Sequence, residues 1–359
     1  MNFKVCGDLW SYLASQNEKS IVMYGMGNGA DKILDVCARY GIEVSDFFAS
    51  DGFVRGHSFH GKTVLSYSEV KQKYGAENII VLLSFASSLP SVLETIQKVA
   101  SECELYAPDV DVCGTNLFTK EFFAANEEKI KKARELFCDE ASREVFDNVI
   151  SYKLSGNIDY LKASQSDKAD VYNNILRSKN YSVIVDAGAY NGDTVREIKA
   201  FAPSLKKVFA LEPDKRNFRK LSQYAENEAD LEVLPLMSAA WSHSDTLSYD
   251  ASGNRNAGLN TGAKKTVEVD AIDIDSLTQD KVDYIKYDVE GAEQEALLGS
   301  RKTINGHRPD LLVSAYHRSE DIFELPLLIA SIEPSYKLYL RRHPYIPAWD
   351  LNILAIYEE

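Results

Sequence analysis

Three acids and one histidine close successive strand-like runs in the second half of the chain. Asp186 follows "VIV", Glu212 follows "VFAL", Asp288 follows "YIKY" and His317 follows "LLVSAY". In an open α/β sheet a ligand sits outside the carboxyl ends of the strands. The four side chains would therefore form a polar ring above an apolar sheet. Capping of the next turn explains any one of them but does not readily explain all four. A hydroxyl is a poor nucleophile and needs a base at hydrogen-bond distance; the candidates are Asp288, Glu290, Glu293 and His317. Lys286 and Asp288 share one face of a strand that should be apolar. A lone buried Lys costs several kcal/mol, so Lys286 must be paired, with Asp288 or Glu290, or must reach the site. His317 could merely cap the following helix, but Ser319 is the better cap, so a catalytic role is favoured for His317. Arg342 and His343, in the last hairpin, either line the acceptor pocket or form an ordinary solvated turn, and the turn is the favoured reading.

The turn after Asp186 narrows the ligand. In "VIVDAGAYNGDTV" (183–195), Gly188 and Gly192 let backbone N–H groups approach a ligand. Thr194 and Glu197 have the spacing of a capping box, which starts a helix at Thr194, and a helix N-terminus favours an anion. Glu212 lies 20 residues after Gly192, where dinucleotide folds keep the acid that bonds ribose hydroxyls. Yet an acid directly before the first glycine would repel a pyrophosphate. The site suits a nucleoside without phosphate but with positive charge, and S-adenosylmethionine fits. Glu212 would take the ribose, the turn the methionine carboxylate, and Asp186 the ammonium and sulfonium. Tyr190, Asn191 and Ala240 are placed to touch the same cofactor. No metal is expected. Asp288 and Glu290 could hold a divalent cation, but a hard cation needs several oxygen ligands and the sequence does not establish them.

The segments "VIVDAGAYNGDTV", "FALEPDKRNFRKL", "VDYIKYDVEGAEQEALLGS" and "LLVSAYHRSEDIFELPLLI" resemble the successive motifs of FkbM-type S-adenosylmethionine-dependent methyltransferases. The closing "YKLYLRRHPYIPAWDLNILAI" is similar to that family's last hairpin. The resemblance covers the chain from 181 to its end. It implies a class I methyltransferase fold and methylation of a hydroxyl oxygen on a sugar, a nucleotide sugar or another small metabolite.

The elements that must position these residues follow from patterning. Residues 1–118 alternate strand and helix patterns, a βαβ rhythm with a parallel sheet. Residues 119–180 are charge-rich and helical, a connector of two or three helices. From 181 to 359 the βα rhythm returns and closes on an antiparallel hairpin. The expected fold is thus a doubly wound α/β sheet with an antiparallel C-terminal hairpin, behind a connector and a smaller Rossmann-like domain. In that first domain "YGMGNGA" (24–30) matches G-x-G-x-x-A, and Asp51 follows 21 residues after Ala30. A lone fingerprint of this kind is weak. Tight packing is the favoured reading, and a nucleotide site is the alternative. That site would support an NAD(P)-dependent oxidoreductase or a non-catalytic nucleotide-binding protein.

Composition bounds the partners. A net charge of −14 argues against nucleic acid and anionic membranes as general partners. The longest apolar run, "IIVLL" (79–83), is too short to span a bilayer. Five cysteines without C-x-x-C spacing read as reduced thiols of a cytoplasmic protein.

Overall fold

The computed structural model describes residues 7–54, 56–250 and 266–358. Two sheets organise it. The first has five strands: β1 (Ser20–Tyr24), β2 (Asp46–Ala49), β3 (Leu65–Ser66), β4 (Ile79–Leu83) and β5 (Glu104–Tyr106), in the order β3-β2-β1-β4-β5. All its pairings are parallel. The β4 run "IIVLL" is buried at every position, as a central parallel strand covered on both faces must be. Sequence patterning found β1, β2 and β4. The short edge strands β3 and β5 carry too few residues to show a period.

The second sheet has seven strands: β6 (Val183–Ala187), β7 (Lys207–Leu211), β8 (Glu232–Leu236), β9 (Tyr284–Tyr287), β10 (Asp310–Ser314), β11 (Lys337–Arg342) and β12 (Leu351–Ile356). Their order is β8-β7-β6-β9-β10-β12-β11. The first five are parallel, and β12 inserts antiparallel between β10 and β11. This is the expected class I methyltransferase-like sheet with an antiparallel hairpin. Its switch point lies between β6 and β9, where a ligand crevice is expected. A three-stranded sheet of Ala239–Ala240, Asp245–Asp250 and Thr266–Ile272 flanks it and was not read from the sequence.

Between the sheets run two long helices, α1 (Lys120–Leu136) and α2 (Glu140–Ser155). Thr119 and Asp139 cap them, accepting from Phe122 N at 3.2 Å and Ser142 N at 2.8 Å. Short helical turns follow, including a π turn at Val171–Ile175. One hydrophobic cluster extends from Val22 and Val81 of the first sheet through Phe137 and Phe146 of the helices to Ile285 and Val313 of the second. Polar ties cross the same seam. Lys153, buried on α2, pairs with Asp109 at 2.9 Å. Cys113 N–H donates to His317 O at 2.9 Å. Ser319 Oγ–H donates to Asp111 Oδ1 at 2.6 Å, so Ser319 does not cap the helix that follows.

A continuous core makes a testable statement about division. A fragment of residues 119–359 would bare the apolar side of α1 and α2 and lose the 107–118 segment under His317. It is expected to aggregate or to melt well below the full chain in a thermal scan. A fragment melting with the full chain would show the seam to be dispensable.

Candidate active site

Lys286 stands at the centre of the second sheet. Its ammonium lies 3.3 Å from Asp186 Oδ1 and 3.6 Å from Asp288 Oδ2, and it donates to Gly188 O at 3.1 Å. Burial opposes its charge, but Asp186 and Asp288 outweigh burial and hold its pKa above the ordinary value. The expected pairing with Asp288 is present, and Asp186, which was not expected as a partner, is the nearer one. Asp186 was expected to face a ligand, and its pairing with Lys286 is what the structure adds. Asp186 is 1 % exposed and sits behind Lys286, off the cavity wall. Its register partner across β6 and β9 is Lys286 itself, which explains the pairing.

Two turns meet above this pair. Gly188 has φ +86°, and a Cβ there would lie 1.9 Å from Asp288 O. Only glycine lets the β6 turn touch the β9 turn. Gly192 has φ +83° and caps the helix Asp193–Lys199. The predicted start at Thr194 with a capping box is corrected. Thr194 is in the first turn, and Glu197 pairs instead with Lys168 at 3.3 Å. Glu212, closing β7, is buried and accepts from Tyr190 N at 2.8 Å and Asp214 N at 2.8 Å. Burial pushes its pKa up to about 7. The two N–H bonds leave acceptor capacity on both oxygens, as a ribose diol requires.

His317 closes β10 inside a cage of carboxylates. Its Nδ1 is 2.9 Å from Glu293 Oε1, and its Nε2 is 3.6 Å from both Asp288 Oδ1 and Glu290 Oε2. Burial disfavours the charged ring, but Glu293 above all and the other carboxylates outweigh burial, so its pKa is raised to about 10. The base was expected to be a neutral imidazole at this position; the surrounding carboxylates instead favour the charged ring. Asp288 also accepts from Tyr316 Oη–H at 3.0 Å. Burial would raise the Asp288 pKa, but Lys286 and then His317 prevail and lower it. Glu290 differs. Its backbone has φ +52°, Oε2 has no hydrogen-bond partner, and its side chain keeps 37 % of its surface open. Burial, against the pull of His317, pushes its pKa up to about 7.

These groups open into one cavity of about 590 Å³. Gly188, Tyr190, Thr194, Glu212, Ala240, Asp288, Glu290 and His317 line it, whereas Asp186, Asn191 and Gly192 do not. Asn191 Oδ1 is taken by Arg196 at 2.8 Å. His343 also lines it, and Arg342 is fully buried, donating to Tyr345 O at 2.8 Å and His343 O at 3.1 Å. The solvated-turn reading of that hairpin is corrected, because β11 and β12 fold it inward over the sheet. Tyr316, Tyr345 and Trp349 make an aromatic wall, with Tyr316 and Trp349 stacked at 6.2 Å and Tyr345 tilted against Trp349 at 5.6 Å. The aromatic spacing in "YIPAW" was the unused sequence signal. Among the described residues no group of three or more His, Cys, Asp or Glu is arranged to hold a metal ion. No helix of the described residues is long and apolar enough to cross a membrane.

In the first domain, Asp51 accepts from Ser68 N at 3.0 Å and Ser68 Oγ at 2.6 Å. The family match given below lies in the second half of the chain, and the oxidoreductase reading finds no support.

A seven-stranded class I sheet with an acid after β7 and a glycine turn after β6 is the arrangement expected of S-adenosylmethionine-dependent methyltransferases. Residues 186–341, less than half of the chain, match the family model described as Methyltransferase FkbM domain, and that match supports S-adenosylmethionine as the cofactor. No curated protein matches the chain in sequence. The chain is similar in fold to Methyltransferase FkbM from Methylobacillus flagellatus KT, with 20 % identity, TM-score 0.70, and 94 % of this chain and 90 % of that one covered. A more distant likeness, at 11 % identity and TM-score 0.32, is to Aeropyrum pernix fibrillarin in complex with S-adenosyl-L-methionine; it covers 50 % of this chain and 69 % of that one.

Two measurements follow from the buried charges. Lys286→Met leaves Asp186 buried without its cation and should lower the unfolding free energy by about 3–5 kcal/mol, read by denaturant titration. Adding Asp186→Asn should recover part of the loss; no recovery would deny the pairing. The His317 ring should remain protonated from pH 6 to 8 in an NMR titration. Because its folded pKa is raised, its contribution to stability is complete below the unfolded value near 6.5 and is lost as pH rises towards about 10.

Proposed function

We propose that the protein transfers the methyl group of S-adenosylmethionine to a hydroxyl oxygen of a sugar or similar small hydroxylated metabolite. The observation that carries this reading is Glu290, which lines the cavity beside the cofactor strand ends and whose Oε2, 3.6 Å from His317 Nε2, accepts no hydrogen bond. The bound cofactor supplies an already activated methyl on a sulfonium. The remaining task is to hold an acceptor oxygen in line and remove its proton. Glu290 takes that proton. Its raised pKa places its change of charge near neutrality, where a general base is most effective. Asp288 is engaged by Lys286, Tyr316 and His317 and its pKa is depressed, so it orients rather than deprotonates. His317, held charged by Glu293, steadies Glu290 and Asp288 together. The aromatic wall of Tyr316, Tyr345 and Trp349 suits the apolar face of a sugar ring. Tyr190, Thr194, Glu212 and Ala240 form the cofactor end of the cavity, with Glu212 on the ribose and Gly188 at the turn.

Turnover should rise with pH through about 7, as Glu290 loses its proton. Glu290→Gln should remove that limb and lower turnover by about 10²–10⁴-fold, with S-adenosylhomocysteine affinity unchanged. Glu212→Ala should do the converse, weakening S-adenosylhomocysteine about 10- to 100-fold in calorimetry through lost ribose bonds. Full turnover and an unchanged profile in Glu290→Gln would exclude it as the base.

A further inference from the structure

A second cavity, of about 290 Å³, lies at the carboxyl ends of β1 and β4, the switch point of the first sheet. Two residues, Val112 and Trp349, line both this cavity and the catalytic one. The shared wall is fixed. Lys32 donates to Asp111 O at 2.8 Å and Val112 O at 2.7 Å. Ser87 and Ile346 exchange two backbone hydrogen bonds, at 2.9 and 3.0 Å, which lock the first domain's loop to the hairpin bearing Trp349.

The cavity is not built for a dinucleotide. A Cβ on Gly29 would lie 2.1 Å from Ser84 O, and one on Gly25 would lie 2.7 Å from the Phe85 ring and Ser84 Oγ. Gly25 of the fingerprint and the neighbouring Gly29 are thus packed against the Ser84–Phe85 loop, whereas Gly27 faces open space. Lys32, whose ammonium is taken by the Asp111 and Val112 carbonyls, lines the cavity with Asn28, Ser84 and Asp111. The rest of the wall is apolar: Met26, Phe85, Ala86, Val110 and Pro347 are among its residues.

We propose that this second cavity receives the non-reacting, apolar end of the methyl acceptor, whose hydroxylated end lies in the catalytic cavity on the other side of Trp349. The ligand class is a glycoside or similar hydroxylated head bearing an alkyl or aromatic substituent. The inference rests on the acceptor reading given above and adds the first domain to the acceptor site.

The test uses the full chain saturated with S-adenosylhomocysteine, with methyl and hexyl β-D-glucopyranoside as probes in calorimetry. Wild type should bind the hexyl member more tightly, by about fourfold for each methylene buried. Ala86→Phe fills the cavity from its wall and Met26→Trp from its exposed rim. Either should erase the hexyl preference while methyl glycoside and S-adenosylhomocysteine affinities hold. If Ala86→Phe fails to fold in a thermal scan, Met26→Trp decides. Methyl binding without a hexyl preference, or a preference that survives a folded filling variant, overturns this inference and leaves the acceptor reading standing. Failure of wild type to bind either probe overturns both.

Discussion

A lysine in the middle of a buried parallel strand must be neutralised where it stands, and that requirement organises the site. Lys286 reaches Asp186 on one neighbouring strand, Asp288 at its own strand's end and the carbonyl of Gly188 in the turn between. One ammonium thereby fixes the spacing of β6 and β9 and the height of both turns. The close approach of Gly188 to Asp288 O follows, since no side chain fits between the turns. Charges held so firmly cost little further reorganisation when a ligand arrives, which is how a preorganised site gains its advantage.

Around this pair the carboxylates divide by environment. Asp288 and Glu290 are two residues apart, yet the first is held below the usual range by Lys286 and His317 while burial lifts the second towards neutrality. Environments that push apart the ionisation of neighbouring carboxyls separate an orienting group from a proton acceptor. His317 makes the separation possible, because a buried cation among three acids lets them share a small volume. Its own partner, Glu293, is wholly buried and also accepts from Val289 N at 2.9 Å, which fixes the turn that carries Glu290.

The parts legible in the sequence were those set by period and by chain order. The strand ends at Asp186, Glu212, Asp288 and His317 were found because buried parallel strands read as apolar runs and their first polar residue marks the edge. The glycine turn was legible because positive φ at Gly188 and Gly192 restricts residue choice. What failed depended on partners distant in sequence. Asp186 and Lys286 are 100 residues apart, and only the register of β6 on β9 pairs them. The ring charge of His317 depends on three acids whose distances no spacing reveals. The Thr194 start failed because a left-handed Gly192 can cap a helix as readily as a hydroxyl side chain. Arg342 and His343 were misread because their burial comes from β12 inserting between β10 and β11, and strand order is not written in a hairpin's own residues.

The electrostatic character of the cavity also separates the two glycine turns of the chain. Near β6 the turn is followed by Glu212 and backed by the Lys286 pair, and the carboxylates beyond it favour a ligand with positive charge and free hydroxyls. Near β1 Ser84 and Phe85 press on Gly25 and Gly29, and Asp51 accepts from Ser68. The same local motif therefore has different consequences in the two sheets. In the second, the space above the turn stays open and polar; in the first, it closes, leaving an apolar hollow against the aromatic wall. The switch points of the two open α/β sheets thus border two separate cavities, one lined by carboxylates and one more apolar, with Val112 and Trp349 in the wall of both. Selection of an acceptor by both ends at once needs a ligand that reaches past Trp349, its hydroxyl among the carboxylates and its substituent in the more apolar cavity.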